Sequence, residues 1–294
     1  MDEMRASTFR KLNRRTVTTL KCTIAYILLG AAMVFSLLPI IWTLLTSVNG
    51  SNSLLGSSIS NLLPKVFSLK NYEEILFGDG SNFITWFKNS MLVSGGTVFF
   101  SLTIGITAAY AYSRYDFISK RFTMKMFILL NAFPNIMALV AYYKILSVLS
   151  LANSLIGLII IYSGGQLVFT IWNLKSYFDT IPYEIEESAY IDGASLFTIL
   201  TKIILQLAKP AIVVTALFSF IAGWNEYVIA VTFNTSTDSF TLPVGLYSLQ
   251  SAGDYSQDWP LFAAGSLVVA APVMIIFLAL QRSLVSGLTL GSSK

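Results

Sequence analysis

The chain has 294 residues, of which 55% are hydrophobic and only 12% are charged, and its formal net charge is +4. Soluble domains carry about 25% charged residues, so this composition excludes a soluble globular domain and a disordered chain. The sequence has no histidine and a single cysteine, Cys22. Catalysis by Ser–His–Asp or Cys–His groups, an intrachain disulfide and a Cys-rich metal site are therefore excluded as well. The remaining class is a polytopic membrane protein.

Six apolar stretches are long enough to cross a bilayer as helices, since a span needs roughly 20 residues. In chain order they cover residues 22–48, 90–112, 122–146, 152–175, 202–233 and 261–284. Basic residues precede the first stretch, as in a signal peptide, but its length and the lack of a small-residue cleavage site favour a retained helix. Proline and glycine within several stretches predict kinked helices that pack against one another. We therefore expect an all-α protein with six transmembrane helices.

The basic residues are distributed unevenly around these stretches. With a cytoplasmic N-terminus, 15 of the 19 Lys and Arg residues fall in inner segments, and the outer segments hold only Lys65, Lys70, Lys88 and Lys144. Because cytoplasmic loops are enriched in basic residues, both termini are expected in the cytoplasm. The expected organisation is a cytoplasmic segment at 1–21, a first helix at 22–48, an extracellular loop at 49–85, a five-helix core at 86–284 and a cytoplasmic tail at 285–294.

The inner loop at 176–201 contains acidic residues that are unusual on this side of a membrane. They are Glu184, Glu186, Glu187 and Asp192. Pro182 can begin a short helix whose dipole favours carboxylates in its first turns, Gly193 is a natural turn residue, and a second short helix is expected over 194–205. We expect a helix–turn–helix segment that exposes its carboxylates and an apolar stripe, as a docking surface would. The stripe comprises Leu196, Ile199, Ile203 and Ile204. The simpler alternative is an ordinary solvated acidic loop.

The spacing in this loop resembles the EAA loop of importer-type ABC transporter permeases: Glu-Ala-Ala, three residues, Gly, nine residues, then Ile, any residue and Leu-Pro. The matching residues are Glu187, Ala189, Gly193, Ile203 and Leu205. Ser188 replaces an Ala, and Gln206 replaces the Pro, which leaves the geometry next to the fifth stretch open. The runs SLKNYEEIL, FKNSMLVS, AYAYSRYDF and FLALQRSLVSGLTLGSSK are also similar to this family. The most similar group is the shorter permease subunit of maltose/maltodextrin-type importers.

The resemblance implies a type I ABC importer permease fold with a cytoplasmic coupling helix. It implies a non-catalytic subunit that forms half of the translocation pathway for a carbohydrate, maltose/maltodextrin or a related oligosaccharide. The implied partners are a second, different permease chain, two cytoplasmic ATPase subunits that bind ATP and Mg, and an extracellular sugar-binding protein. No nucleic-acid partner is implied. The implied location is the inner membrane of a bacterium or archaeon.

The resemblance also implies roles for particular residues. Coupling to the ATPase is expected from Glu184, Glu186, Glu187, Ala189, Asp192, Gly193, Ala194 and Ser195. Glu187 would pair with a basic group of the ATPase, whereas the simpler alternative is a carboxylate that only favours its own helix dipole. For Asp192 the alternative is a local turn or capping bond. The tail at 286–294 would reach the ATPase dimer interface, or it is a frayed terminus.

The polar outer loop at 234–260 would contact the sugar-binding protein, and its alternative is a plain solvated connection. The candidate contact residues are Asp238, Asp254, Tyr255 and Asp258. Within or beside the spans, polar groups should face other helices or a water-filled path, because burying them in lipid is costly. The candidates for the sugar pathway are Asn131, Gln166, Asn173, Asn225, Glu226 and Tyr227, with aromatic faces from Tyr110, Tyr142 and Phe220. The simpler alternative for each is packing between helices.

Two other functions compete with a permease subunit. A stand-alone ion-coupled secondary transporter should carry ionisable residues deep within its spans, and these are scarce here. An intramembrane enzyme would lack histidine and paired carboxylates within its spans. The chain has no phosphate-binding Gly-rich loop with Lys-Ser/Thr, so ATP is expected on partner subunits.

Overall fold

The computed structural model describes residues 2–51, 63–64, 66–251 and 259–290, with side chains described for 18–51, 63–64, 66–134, 136–249 and 259–281. These residues form helices, connecting loops and an isolated β-bridge between Asn49 and Phe67. The α-helices are α1 (Asp2–Ser47), α2 (Lys70–Phe77), α3 (Phe83–Arg114), α4 (Lys120–Ala132), α5 (Leu139–Val148), α6 (Leu155–Phe178), α7 (Tyr183–Ile191), α8 (Leu196–Thr198), α9 (Leu205–Leu207), α10 (Lys209–Trp224), α11 (Val228–Phe233), α12 (Leu242–Ser251) and α13 (Trp259–Leu290). A π-helical turn (Ile199–Ile204) joins α8 to α9, and 3₁₀ turns lie at Asn135–Ala138 and Thr237–Ser239.

The chain divides into two compact units, of which the first comprises Met1–Tyr72 and Ser256–Leu267. Within this unit the amide of Asn71 donates to the backbone carbonyls of Ser47, at 2.9 Å, and Asn49, at 3.1 Å. The hydroxyl groups of Ser47 and Tyr72 lie 2.8 Å apart. These bonds hold the end of α1 against the start of α2. A cavity of about 270 Å³ is lined by Trp42, Thr43, Thr46, Trp259, Phe262, Ala263 and Ser266.

The second unit, Glu73–Tyr255 and Val268–Lys294, contains the candidate sites. Its centre is α3, which packs along α6 and α10 and also contacts α12. One buried apolar cluster comprises Val93, Leu158, Ile159, Tyr162, Ala230 and Val244. A second comprises Ala109, Tyr110, Leu174, Phe178, Ile181, Ala189, Ile199, Ile204, Ala208 and Ala211. Both clusters join α3 to α6, and the second also joins them to the start of α10 through Ala211.

Four of the predicted spans coincide with single long apolar helices. These are Thr18–Ser47, Phe83–Arg114, Leu155–Phe178 and Trp259–Gln281. Each is 23 residues or longer, which suffices to cross a bilayer. They correspond to the first, second, fourth and sixth apolar stretches of the sequence.

The third and fifth predicted spans are broken. Lys120–Ala132 and Ile136–Val148 meet at 91°, and Leu196–Leu207 and Lys209–Trp224 meet at 80°. The described residues therefore hold up to six spans if each bent pair counts as one. The kinks expected from proline are confirmed at Pro134, which lies within the first break.

The fifth predicted span, which starts at residue 202, contains the second break. Residues up to Leu207 form the first arm of this bent pair, and α10 begins at Lys209. Pro210 lies in the first turn of α10 and cannot donate a backbone hydrogen bond to the carbonyl of Gln206, so it favours a break here. The replacement of the motif proline by Gln206 has therefore not removed the bend.

Candidate functional site

The acidic loop at 176–201 folds as the expected helix–turn–helix. After α6 ends at Phe178, α7 spans Tyr183–Ile191 and the chain turns at Gly193, whose φ is +82°. This left-handed conformation is strained for residues with a Cβ and favours glycine. The Ser195 hydroxyl then accepts the backbone N–H of Thr198 at 3.3 Å and caps the second arm. We refer to residues 182–207 as the elbow.

Three of the expected coupling carboxylates lie on the exposed side of the elbow. Glu184, Glu187 and Asp192 are exposed, as are Gly193 and Ser195. Within the part of the chain that the structure describes, these three carboxylates have no hydrogen bond or ion pair. The structure therefore gives no support to a capping bond from the Asp192 side chain, and all three groups are accessible to another molecule.

The expectation that the elbow buries none of its carboxylates or stripe residues is wrong for Glu186, Ile199 and Ile204. Glu186 is only 5% exposed, and both isoleucines are fully buried. Ala189 is buried as well, and Ala194 packs against the same apolar cluster. These residues are buried because they form the face of the elbow that packs on the second apolar cluster.

The exposed apolar surface lies instead around the turn of the elbow. It comprises Tyr190, Ile191, Leu196 and Phe197, which we call the elbow tip. Ile191 is 87% exposed and Phe197 is 75% exposed. Apolar residues this exposed, beside accessible carboxylates, are typical of a protein interaction surface.

Arg114, at the end of α3, is the partner of the buried Glu186. Its Nε donates to Glu186 Oε1, and the two side chains are 4% and 7% exposed. The Tyr110 hydroxyl donates to Glu186 Oε2 at 2.6 Å, and a second Arg114 nitrogen donates to the carbonyl of Ile181 at 3.1 Å. The guanidinium also lies 4.5 Å from the centroid of the Tyr183 ring. Sequence reasoning did not identify Arg114 as a site residue, because basic residues are common at the inner end of a span.

Asp179 joins the same region from the loop between α6 and α7. Ser113 donates a hydrogen bond to it at 2.7 Å, and Lys175 forms an ion pair with it at 2.6 Å. Burial alone would raise the pKa of the Asp179 carboxyl. The hydrogen bonds from Lys175 and Ser113 and the positive charges of Lys175 and Arg114 outweigh this effect and lower its pKa from the ordinary value. Asp179 is therefore ionised at neutral pH.

Three of the pathway candidates meet at one cavity, of about 100 Å³, between α5, α6 and the break after α10. They are Tyr142, Gln166 and Glu226. The other lining residues are Ile161, Tyr162, Gly165, Ala222 and Ile229. Among the described residues, neither the Tyr142 hydroxyl nor the Gln166 amide has a hydrogen-bond partner, so both are available to a polar molecule in this cavity.

Glu226 lies in the interruption between α10 and α11. Its carboxylate accepts the backbone N–H groups of Ile229, at 2.8 Å, and Ala230, at 3.1 Å, and so caps α11. It also accepts a hydrogen bond from the Tyr162 hydroxyl of α6. Tyr162 was missed in the sequence, where a tyrosine in an apolar stretch gives no signal of its partner.

The structure does not bring the remaining pathway candidates to this cavity. Asn131 and Asn225 are exposed on other surfaces. The other four contact neighbouring helices or loops. Asn173 donates a hydrogen bond to Thr215, and Tyr110 donates one to Glu186. The Tyr227 ring contacts the Tyr247 ring, and the Phe220 ring stacks on Trp224.

The segment after α11 contains more regular structure than the expected polar loop. Trp86 donates its indole N–H to the carbonyl of Thr237 at 3.0 Å, and Asn89 donates to the carbonyl of Asp238 at 2.7 Å. The expectation of a loop over 234–260 is wrong at Leu242–Ser251, which forms α12, because Leu242 and other apolar residues there pack against α3. The Asp238 side chain is exposed. Asp254, Tyr255 and Asp258 lie outside the described residues.

A metal site finds no support in the described ranges, where no group of three His, Cys, Asp or Glu residues could hold a metal ion. The polar groups of the two candidate sites are suited to other tasks. The elbow offers carboxylates and apolar side chains to a protein, and the cavity offers hydrogen-bonding groups beside aromatic rings.

Comparison with known proteins gives concordant matches. Residues 101–289 match the family described as binding-protein-dependent transport system inner membrane component. The galactooligosaccharides transport system permease protein GanQ of Bacillus subtilis is 37% identical over 92% of this chain and 94% of its own. The maltodextrin transport system permease protein MdxG of the same organism is 31% identical over 99% of this chain and 100% of its own.

A solved structure shares the fold. The crystal structure of a bacterial ABC transporter involved in the import of the acidic polysaccharide alginate contains a chain that superposes with a TM-score of 0.75. The match covers 88% of this chain and 94% of that chain, at 24% sequence identity. At this identity the similarity concerns the fold alone.

Proposed function

Since the chain belongs to the family of binding-protein-dependent transport system inner membrane components, as a permease subunit of a sugar-importing ABC transporter, we propose that it forms half of the translocation pathway for a neutral oligosaccharide. Maltodextrin or a related sugar is the proposed cargo. Two relatives are named for galactooligosaccharides and for maltodextrin, which are both uncharged sugars. The Glu226 carboxylate at the cavity favours a neutral cargo too, because it would repel an anionic sugar.

We propose six transmembrane spans with both termini in the cytoplasm. The four long apolar helices, the bent pair of Lys120–Ala132 and Ile136–Val148, and α10 of the second bent pair supply six crossings. The distribution of Lys and Arg supports this orientation. It places the elbow on the cytoplasmic side and the turn at Thr237–Ser239 outside, where Asp238 is available to a sugar-binding protein.

The observation that carries the proposed coupling role is the exposed side of the elbow. Glu187 has no partner within the described chain and lies on the same helix as Tyr190 and Ile191 of the elbow tip. We propose that this surface binds one of two cytoplasmic ATPase subunits, which hold ATP and Mg, and that a second permease chain completes the pathway. A charge-assisted contact at Glu187 would contribute about 1.5–3 kcal/mol.

In the proposed mechanism this chain makes and breaks no bonds. Closure of the two ATPase subunits on ATP moves the elbows of the two permeases together. The second unit, whose helices share two apolar clusters, moves with the elbow and opens the pathway outward to the delivered sugar. ATP hydrolysis then returns the pathway inward.

The coupling role is tested by charge reversal at Glu187. We expect Glu187→Lys to abolish co-purification of the ATPase in detergent, or to uncouple ATP hydrolysis from sugar uptake. The matched control is Glu74→Lys, which reverses an exposed carboxylate on α2, away from the elbow. If the Glu187 variant assembles with the ATPase and couples ATP hydrolysis to uptake normally, the coupling role of Glu187 is contradicted. Sugar transport by the purified chain alone would contradict its assignment as a subunit.

The pathway role is tested at Gln166. We expect Gln166→Leu to reduce uptake of a maltodextrin in proteoliposomes containing the complete transporter, because it removes a hydrogen-bonding group from the cavity wall. Asn131→Leu is the control, since Asn131 is exposed and does not line this cavity. Equal uptake by the two variants would contradict the proposal that this cavity is part of the sugar pathway. Uptake of an alginate oligosaccharide in preference to maltodextrin would contradict a neutral cargo.

A further inference from the structure

Glu186 is the one acidic residue of α7 that the proposed coupling surface does not use. It lies next to Glu187 in sequence, but Glu187 is exposed and Glu186 is only 5% exposed. Glu186 and Ala189 are the buried residues of α7. Ala189 joins the second apolar cluster, and the Glu186 carboxylate is the buried polar group of α7.

Both oxygens of that carboxylate are bound by α3. Arg114 donates to one oxygen, and Tyr110 donates to the other at 2.6 Å. Because Tyr110 and Arg114 are one turn apart on α3, the two bonds fix both the position and the rotation of Glu186. The carboxylate is paired and hydrogen-bonded, as a buried charge must be.

Arg114 also holds the chain leading into α7. It donates to the Ile181 carbonyl at 3.1 Å, and its guanidinium stacks on Tyr183 with 4.5 Å to the ring centroid. The Tyr183 hydroxyl in turn donates to the carbonyl of Ser113 at 3.0 Å. The end of α3 therefore contacts Ile181, just before the elbow, and Tyr183, the first residue of α7.

The second arm of the elbow is attached differently. Ile199 and Ile204 are fully buried in the apolar cluster that also holds Ala109 of α3 and residues of α6 and α10. Apolar contacts tolerate sliding, whereas a buried carboxylate with one oxygen bonded by Arg114 and the other by Tyr110 has one favourable geometry. The two arms are thus fixed by different interactions.

We propose that Arg114 and Glu186 are positioning residues, and that their buried ion pair makes α3 follow each displacement of α7. This inference rests on the proposed function, because it concerns how motion of the ATPase-binding segment reaches the transmembrane helices. It assigns the two adjacent glutamates different tasks: Glu187 binds the partner, and Glu186 passes the motion inward.

The test is the number of ATP molecules hydrolysed per sugar transported by the complete transporter in proteoliposomes. We expect Glu186→Gln to leave the ATPase bound in normal stoichiometry and to raise ATP use per sugar by about two- to thirtyfold, the range for changes along a coupling route. Asp116→Asn is the control, because it removes the exposed ion pair with Lys120 near the same end of α3. That control is expected to behave as wild type.

A second variant separates coupling from folding. Glu186→Gln leaves Arg114 as an unpaired buried charge and can impair folding, whereas the double variant Arg114→Gln/Glu186→Gln removes both charges. We expect the double variant to assemble as wild type does and still to use more ATP per sugar.

Two outcomes overturn the inference while leaving the proposed function intact: wild-type coupling in the assembled double variant, or loss of ATPase binding in Glu186→Gln like that expected for Glu187→Lys. If the wild-type chain neither binds an ATPase nor supports sugar-dependent ATP hydrolysis, the proposed function itself fails.

Discussion

Gly245 of α12 lies against the indole ring of Trp86 of α3, so closely that a Cβ at position 245 would come within 2.1 Å of two ring atoms. The same indole donates its N–H to the Thr237 carbonyl. Trp86 is thus enclosed between α12 and the turn that precedes it. This contact depends on the absence of a side chain at position 245.

Gly245→Ala is expected to lower the stability of the protein by about 1–3 kcal/mol, because the added methyl group must displace Trp86 or α12. The measurement is the thermal unfolding temperature of the detergent-solubilised protein. Gly95→Ala on α3 is the matched control, since a Cβ there meets no atom within 4 Å. Equal unfolding temperatures in the two variants would contradict the close contact.

Gly193→Ala is expected to destabilise the elbow by roughly 1–2 kcal/mol, the cost of a left-handed conformation in a residue with a Cβ. No neighbouring atom lies within 4 Å of a Cβ built there, so the cost is one of backbone conformation alone. Gly193→Asn should cost less, because asparagine tolerates this conformation. Protease sensitivity of the elbow measures the effect, and the hypothesis fails if the alanine variant is as resistant as the asparagine variant.

Tyr162→Phe is expected to lower stability by about 1.5–3 kcal/mol, because Glu226 then loses a charge-assisted hydrogen bond that ties the α10–α11 break to α6. Thermal unfolding in detergent is the measurement. Tyr177→Phe is the control: its hydroxyl makes a long bond of 3.3 Å to the Leu207 carbonyl. A smaller effect at Tyr162 than at Tyr177 would show that the Glu226 bond does not stabilise the break.

The contribution of Asp179 to stability is expected to depend on pH in the acid range. Because the folded protein lowers the pKa of Asp179 below its ordinary 3.8, the contribution is complete above that value and is lost as the pH falls through the folded pKa. The difference in unfolding temperature between the wild type and Asp179→Asn should therefore be constant from pH 7 to pH 5 and shrink below about pH 4. A difference that shrinks between pH 7 and pH 5 would contradict this assignment.

The long apolar helices could be predicted because a run of some 20 apolar residues has few other stable structures. The breaks near Pro134 and Pro210 could be predicted as kinks, since proline removes a backbone donor. Their angles, 91° and 80°, could not, because they depend on what the two halves pack against. The α12 helix was missed because its 10 residues are too few for a membrane span and polar segments flank them.

The candidate site could be predicted only as a segment. Spacing identified the elbow, its turn at Gly193 and its acidic residues. It could not distinguish Glu186 from Glu187, since the inward face of a short helix is decided by partners such as Arg114, 72 residues away along the chain. The meeting of Gln166 with Glu226 likewise depends on how α6 and α10 pack.

The continuity of α3 has a mechanical consequence. Its 32 residues form an unbroken rod of about 48 Å, bonded near its start to Thr237 and Asp238 and at its end to Glu186. An unbroken helix is stiff along its axis, so a push on the end at Arg114 reaches the opposite end, whereas each bent pair has a break at which it can flex. The elbow and the turn at Thr237–Ser239 are therefore connected by a single piece of secondary structure.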